Sequence, residues 1–256
     1  MNRAASLKLA LIGATGPVSA GPVSADAGDG GPLTEIGSAS GRGADLVLLP
    51  QLSFSPYFPA RRDREALELG ERLPSKQMRT ALDAAGDCLI AASVYECVGE
   101  GVFYVRGELG SRAEGCLLAE RQHRPEAGRG RYEQMFFSPG HGPRSVAGLP
   151  WGATGLLVGA DLREIDAWSE LSRLGARLVL GSVSEDRDGW ARTTRIAAGL
   201  AAVNGIALAL VNRAPSEGEP GFAGGGLVVD GVGREIAPDA DGLFNLEISD
   251  CVEGES

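Results

Sequence analysis

The chain has 256 residues, of which 43% are hydrophobic and 23% charged, enough apolar material for a large globular core. Its formal net charge of −10 argues against the clustered basic surface that nucleic-acid binding needs. No apolar run reaches the roughly 20 residues of a membrane-spanning helix. The N-terminal run Leu7–Ile12 is short and broken by Lys8, so it reads as a strand and not as a secretory segment. A cytoplasmic protein without nucleic-acid or membrane partners is expected.

Short apolar, β-branched runs read as buried strands at Leu7–Ile12, Asp45–Leu49, Cys88–Tyr95, Gly115–Ala119, Thr154–Val158, Arg177–Leu180, Ile206–Val211 and Gly226–Val229. Between them, Arg61–Leu69, Ser75–Ala85, Ile165–Leu174 and Thr193–Asn204 carry helical patterns; in the last, Ile196, Leu200 and Val203 share one face. Strands alternating with helices predict an α/β fold. The stretch 14–40 departs from this pattern. It holds Pro17, Pro22, Pro32, many glycines and a tandem GPVSA repeat at Gly16–Ala25, which oppose a regular helix. It reads as a surface loop with at most a short helix near Leu33–Ser38, inside one domain spanning 1–256.

Four cysteines, Cys88, Cys97, Cys116 and Cys251, form no CxxC pair, and His123 and His141 are the only histidines. That spacing gives no zinc site, and no metal or cofactor is expected. The glycines at Gly224–Gly226 lack the following Lys–Ser/Thr of a phosphate loop.

Four segments matter together: GADLVLLPQLSFSPYF (Gly43–Phe58), AERQHRPEAGRGRYEQMFFSPG (Ala119–Gly140), TGLLVGADLREIDAWSELSRLGARLVL (Thr154–Leu180) and ALALVNRAPSEGEPGFAGGGLVVDGVGREI (Ala207–Ile236). Their order and spacing resemble the nitrilase, or carbon–nitrogen hydrolase, superfamily, with most similarity to its N-carbamoylputrescine amidase and carbamoylase branches. The resemblance implies a four-layer α-β-β-α sandwich that dimerises. It also implies a glutamate base, a lysine that stabilises developing charge, and a cysteine that attacks an amide, carbamoyl or nitrile carbon.

At the positions matching that triad this chain reads Gln51 in LLPQ, Arg121 in RQHRP and Gly159 in VGAD. Glycine supplies no nucleophile. An amide cannot accept a proton near neutral pH, and arginine for lysine changes the shape of the charged group. The second glutamate of the family is kept as Glu133, free to hold a ligand's amine or to pair with Arg121. Tyr57, His123 and Asp161 are further binding candidates, each with a plainer alternative: packing for Tyr57, a structural part for His123, fixing the turn for Asp161. No other cysteine falls at an elbow beside Asp161.

Three functional expectations follow. The first is a catalytically inactive partner of another enzyme, in a homodimer or hetero-oligomer. The second is a module binding a small amide, amine or carboxylate in the old pocket. The third is a repurposed enzyme with Glu133 as general acid or base.

Overall fold

Leu7, Leu9 and Leu11 alternate with Ala10 and Ile12 along the first strand, and the alternation divides the core in two. The computed structural model describes residues 5–13, 31–99, 101–128, 130–215 and 221–248. In chain order it builds β1 (Ala5–Leu11), α1 (Pro32–Gly41), β2 (Leu46–Leu48), α2 (Lys76–Ala85), β3 (Leu89–Gly99), β4 (Val102–Ser111) and β5 (Gly115–Arg121). Then follow β6 (Ala147–Leu149), β7 (Gly152–Val158), α3 (Ile165–Arg173), β8 (Leu178–Val183), α4 (Arg187–Asn204), β9 (Ala207–Asn212), β10 (Gly226–Val229) and β11 (Phe244–Ile248).

The strands form a six-stranded sheet, β11-β1-β2-β3-β4-β5, and a five-stranded sheet, β10-β9-β8-β7-β6. The centre of each is parallel (β1-β2-β3 and β7-β8-β9), with antiparallel strands at the margins. Leu7, Leu9, Leu46 and Leu48 face Leu156, Leu178, Leu180 and Val211 between the sheets. The alternate residues Ala10, Val47 and Ile90 pack under α1 and α2, and Leu157, Val179 and Val183 pack under α3 and α4. The result is the expected four-layer α-β-β-α sandwich.

Three strands escaped the sequence reading. Gly107 and Gly110 interrupt β4, β6 has only three residues, and β11 alternates polar and apolar positions close to the chain end. The expected short helix near Leu33–Ser38 is longer, Pro32–Gly41. Pro32 sits in its first turn, where no backbone N–H is needed, so a proline counted against the helix in fact starts it. The GPVSA repeat and Cys251 lie outside the described residues. Arg64–Leu69 is a 3₁₀ turn and not an α-helix.

Candidate functional site

The parallel strands of both sheets end at the same rim of the sandwich, and their C-terminal loops meet there. Past β2, Pro50 leads into a turn carrying Gln51 and Leu52. Arg213, just beyond β9, holds this turn: its Nη1 donates to the Gln51 and Leu52 carbonyls at 2.8 Å each, and its Nη2 donates to the Ser55 carbonyl at 2.8 Å. Leu52 adopts φ +53°, a left-handed conformation that costs a branched residue roughly 1–2 kcal/mol. The Ser93 hydroxyl, 2.6 Å from the Leu52 N–H, helps to hold it there. The neighbouring Asn212 carboxamide ties the end of β8 to the glycine loop: it accepts from the Glu185 N–H at 2.7 Å and donates to the Glu185 and Gly224 carbonyls.

Gly159 follows β7 with φ +59° and opens a 3₁₀ turn through Arg163. A Cβ built there would lie well under 3.0 Å from Gln122 Nε2, and 3.1 Å from both Gln122 Cδ and Gln51 Nε2. A side chain at 159 would therefore meet the end of the Gln122 side chain, which would have to swing aside.

Glu133 is the centre of the polar cluster and is 1% exposed. Its Oε1 accepts from Gln51 Nε2 at 3.0 Å and from the Tyr57 hydroxyl at 2.9 Å. Its Oε2 accepts from Gln122 Nε2 at 3.0 Å and from the Glu126 N–H at 2.8 Å. Gln122 Nε2 also donates to the Arg124 carbonyl at 3.1 Å. Burial pushes the Glu133 carboxyl up, against the opposing pull of these donors. Burial likewise pushes the Tyr57 phenol well up, with the Glu133 charge adding to it.

The structure corrects one sequence assignment. Arg121 does not face this cluster. Its guanidinium pairs with Glu96 at 2.8 and 2.7 Å and stacks on Tyr104 at 4.0 Å. The reason is strand parity: along β5 and its continuation Leu118, Glu120 and Gln122 are buried while Ala119 and Arg121 are half-buried. Gln122 is therefore the side chain delivered to the site, and neither Gln51 nor Glu133 is the partner of Arg121. Sequence reading missed Gln122 because Leu117, Leu118 and Ala119 are all apolar and the buried Glu120 and Gln122 are polar, so the alternation shows only in the structure.

Asp161 is fully buried, and its oxygens accept from the His123 and Arg124 N–H groups at 2.8 Å each and pair with Arg144 at 3.0 Å. These bonds tie the turn after β7 to the segment at 123–124 and to Arg144. The His123 imidazole lies among Arg144, Asp161, Glu120 and Glu170, apart from the contacts of Glu133. Tyr57 places its hydroxyl on Glu133 and also packs its ring edge-on against Phe222 at 5.3 Å.

Beside Glu133 lies an ionic cluster that the sequence did not announce. Arg131 Nη1 pairs with Glu126 at 2.8 Å and Glu185 at 2.6 Å. Arg163 pairs with Glu185 at 2.6 Å and also with Glu126. Thr193 donates to Glu185 at 3.1 Å. Burial pushes the Glu126 carboxyl up, but the Arg163 and Arg131 guanidiniums outweigh it and hold the group below the usual range.

Chemically, the rim presents the Gln51 and Gln122 carboxamides around the Glu133 carboxyl. Gln51 cannot take a proton, Gly159 has no attacking atom, and every hydrogen bond to Glu133 is donated to it. The described cysteines lie elsewhere. Cys88 packs beneath α1 and α2 with its thiol pushed up to about 12 by burial. Cys97 touches the Gly70–Phe103 contact, and Cys116 sits at the far end of β5. Among the described residues no group of three His, Cys, Asp or Glu is placed to hold a metal.

No protein-family profile matches the sequence, and no curated protein matches it. Solved structures do match. A carbon–nitrogen hydrolase from Helicobacter pylori G27 superposes with TM-score 0.77 at 18% identity, over 95% of this chain and 89% of that one. A glutamate-to-glutamine variant of the amidase from Nesterenkonia sp. AN1, modified by acrylamide at its active site cysteine, superposes with TM-score 0.78 at 23% identity, over 94% and 93%. A double variant of the same amidase, lacking that glutamate and with a cysteine changed to alanine, is in complex with acrylamide; it superposes with TM-score 0.75 at 23% identity, over 94% and 90%. The chain has the nitrilase-superfamily fold, and at these identities the likeness is one of fold.

Proposed function

We propose that this protein is a nitrilase-fold pseudoenzyme, a cytoplasmic chain that acts as a structural or regulatory partner of another enzyme and does not hydrolyse carbon–nitrogen bonds through a nucleophile. The observation that carries this reading is the Gln122 carboxamide in the space of a side chain at Gly159. It is supported by the contrast with the surrounding framework. The Asn212 and Arg213 anchors and the left-handed Leu52 are built in full, while the base and nucleophile positions hold groups without their chemistry. A fold whose framework is kept and whose reacting groups are gone retains its surfaces as its usable asset.

Two measurements test it. Ammonia release from a panel of amides, carbamoyl compounds and nitriles is expected to be nil for the native chain and for Gly159→Cys. In the latter, the new thiol has no base at Gln51 and must first displace the Gln122 carboxamide. Turnover by Gly159→Cys would return the chain to the amidases. Turnover by the native chain that disappears in Glu133→Gln would make it a repurposed enzyme. Native mass determination after co-expression with its genomic neighbours is expected to give a defined hetero-oligomer, whereas a homo-oligomer alone would remove the partner role.

One observation favours a second reading, that of a ligand-binding module. The Nesterenkonia double variant, without its glutamate carboxylate and cysteine thiol, is in complex with acrylamide, so this fold holds an amide after losing those two groups. A thermal shift of the native chain with a small amide, amine or carboxylate would support that reading over the first.

A further inference from the structure

We infer that Gln122 is a built-in occupant of this site: a primary carboxamide carried by the chain itself fills the space beside Gly159 and makes the hydrogen bonds that a small free amide would make there. The inference rests on the non-catalytic reading above and specifies what has replaced the substrate space. Three observations support it. First, the Gln122 amide nitrogen and carbon are the nearest atoms to a Cβ at Gly159, ahead of or level with Gln51 Nε2 at 3.1 Å. Second, both hydrogens of its Nε2 are used, one toward Glu133 Oε2 at 3.0 Å and one toward the Arg124 carbonyl at 3.1 Å, and its Oε1 lies 3.4 Å from Gln51 Nε2. A primary amide has two N–H donors and one carbonyl acceptor, and all three face partners here. Third, Gln122 is 1% exposed, so these groups are shielded from solvent and an empty version of the site would leave them unpaired.

Truncating glutamine to alanine removes the equivalent of one acetamide molecule. Acetamide is therefore the probe, and N,N-dimethylacetamide, which has the carbonyl but no N–H, is its control. Gln122→Ala is expected to melt about 5 °C below the native chain, since two or more buried hydrogen bonds and their packing are lost. Acetamide at tens of millimolar is expected to raise the melting temperature of the variant by about 3 °C over the control, because it binds the folded state alone. The native chain, already occupied, is expected to show no difference between the two compounds. Adding Gly159→Ala to Gln122→Ala should abolish the acetamide response, because the methyl enters the same space. Gly159→Ala should also lower the melting temperature more in the native background than in Gln122→Ala, the non-additivity expected of side chains competing for one place.

An acetamide response in the native chain, or an equal effect of Gly159→Ala in both backgrounds, would overturn the occupancy. Where Gln122→Ala does not fold, Gln122→Ser carries the same comparison, and the native-chain measurement stands without either variant. Ammonia release from acetamide separates the two claims: hydrolysis by the native chain would defeat the non-catalytic reading, and an unoccupied native site without hydrolysis would defeat only the inference about Gln122.

Discussion

Glu126 and Glu133 lie in one loop and touch through the Glu126 N–H and the Glu133 Oε2, 2.8 Å apart, yet their surroundings are opposite. Glu126 stands between the guanidiniums of Arg131 and Arg163. Glu133 has only neutral donors in its hydrogen bonds: two carboxamides, a phenol and a backbone N–H. Guanidiniums hold the first carboxyl below its ordinary value, and burial lifts the second above it. The difference shows two ways in which one loop holds a buried carboxyl at this rim. Opposite charges bind the loops in the ionic cluster, while beside it the Gln51 and Gln122 carboxamides satisfy Glu133 as neutral donors.

The matched substitutions Glu126→Gln and Glu133→Gln test that contrast. Glu126→Gln is expected to have the larger effect, about 3 kcal/mol, because it leaves two largely buried guanidiniums sharing the remaining carboxylates. Its pH signature follows from the lowered folded-state value. Glu126 contributes stability that is present above the ordinary carboxylate range of about 4.3 and is lost as pH falls through the folded-state value. The variant should therefore lose part of the native chain's acid sensitivity. Denaturant unfolding between pH 3 and 7 reads both effects, and an unchanged acid limb would show that the pairing with Arg131 and Arg163 does not hold in solution.

Glu133→Gln is expected to cost less, about 1 kcal/mol, through hydrogen bonds that a carboxamide cannot accept on its nitrogen. Its pH dependence has the other sign. A raised folded-state value favours the folded state below the ordinary range, and this advantage is lost as pH rises through the folded-state value. The deficit of the variant should thus be smaller at neutral pH than in acid. Equal deficits for the two substitutions, or a Glu133 deficit that grows with pH, would erase the distinction.

How much of this was legible in the sequence divides along the same line. The central strands were readable because buried parallel strands are nearly continuous apolar runs, and the order of the LLPQ, RQHRP, VGAD and VNR segments brought their ends to one rim. Gln51, Gly159, Glu133 and Tyr57 do meet there. What failed was register: one residue decides whether Arg121 or Gln122 faces the site, since neighbouring side chains on a strand point to opposite faces. Motif spacing alone chose the charged residue, while the buried alternation of Leu118, Glu120 and Gln122 selects the amide. The ionic cluster was illegible for another reason. Glu126, Arg131, Arg163 and Glu185 come from separate segments, and single charges in loops read as solvent-facing until the fold supplies their partners. Asp161 was readable only as a choice, and its partners, Arg144 and the His123 and Arg124 N–H groups, come from other segments.

The smallest expected effect concerns His123, whose imidazole lies among Arg144, Asp161, Glu120 and Glu170. Partial burial lowers its folded-state value, and the Arg144 guanidinium lowers it further, against the pull of Asp161, Glu120 and Glu170. The unfolded chain, with an ordinary value near 6.5, then binds a proton before the folded chain does. Stability should fall as pH drops through about 6.5 and continue to fall until the folded-state value is reached. His123→Gln removes this slope and leaves the Asp161 bond to the residue 123 N–H in place, because that donor is backbone. Parallel unfolding curves for the native chain and the variant between pH 5 and 7 would mean that the imidazole is solvated at the rim, and Arg144 would then answer to Asp161 alone.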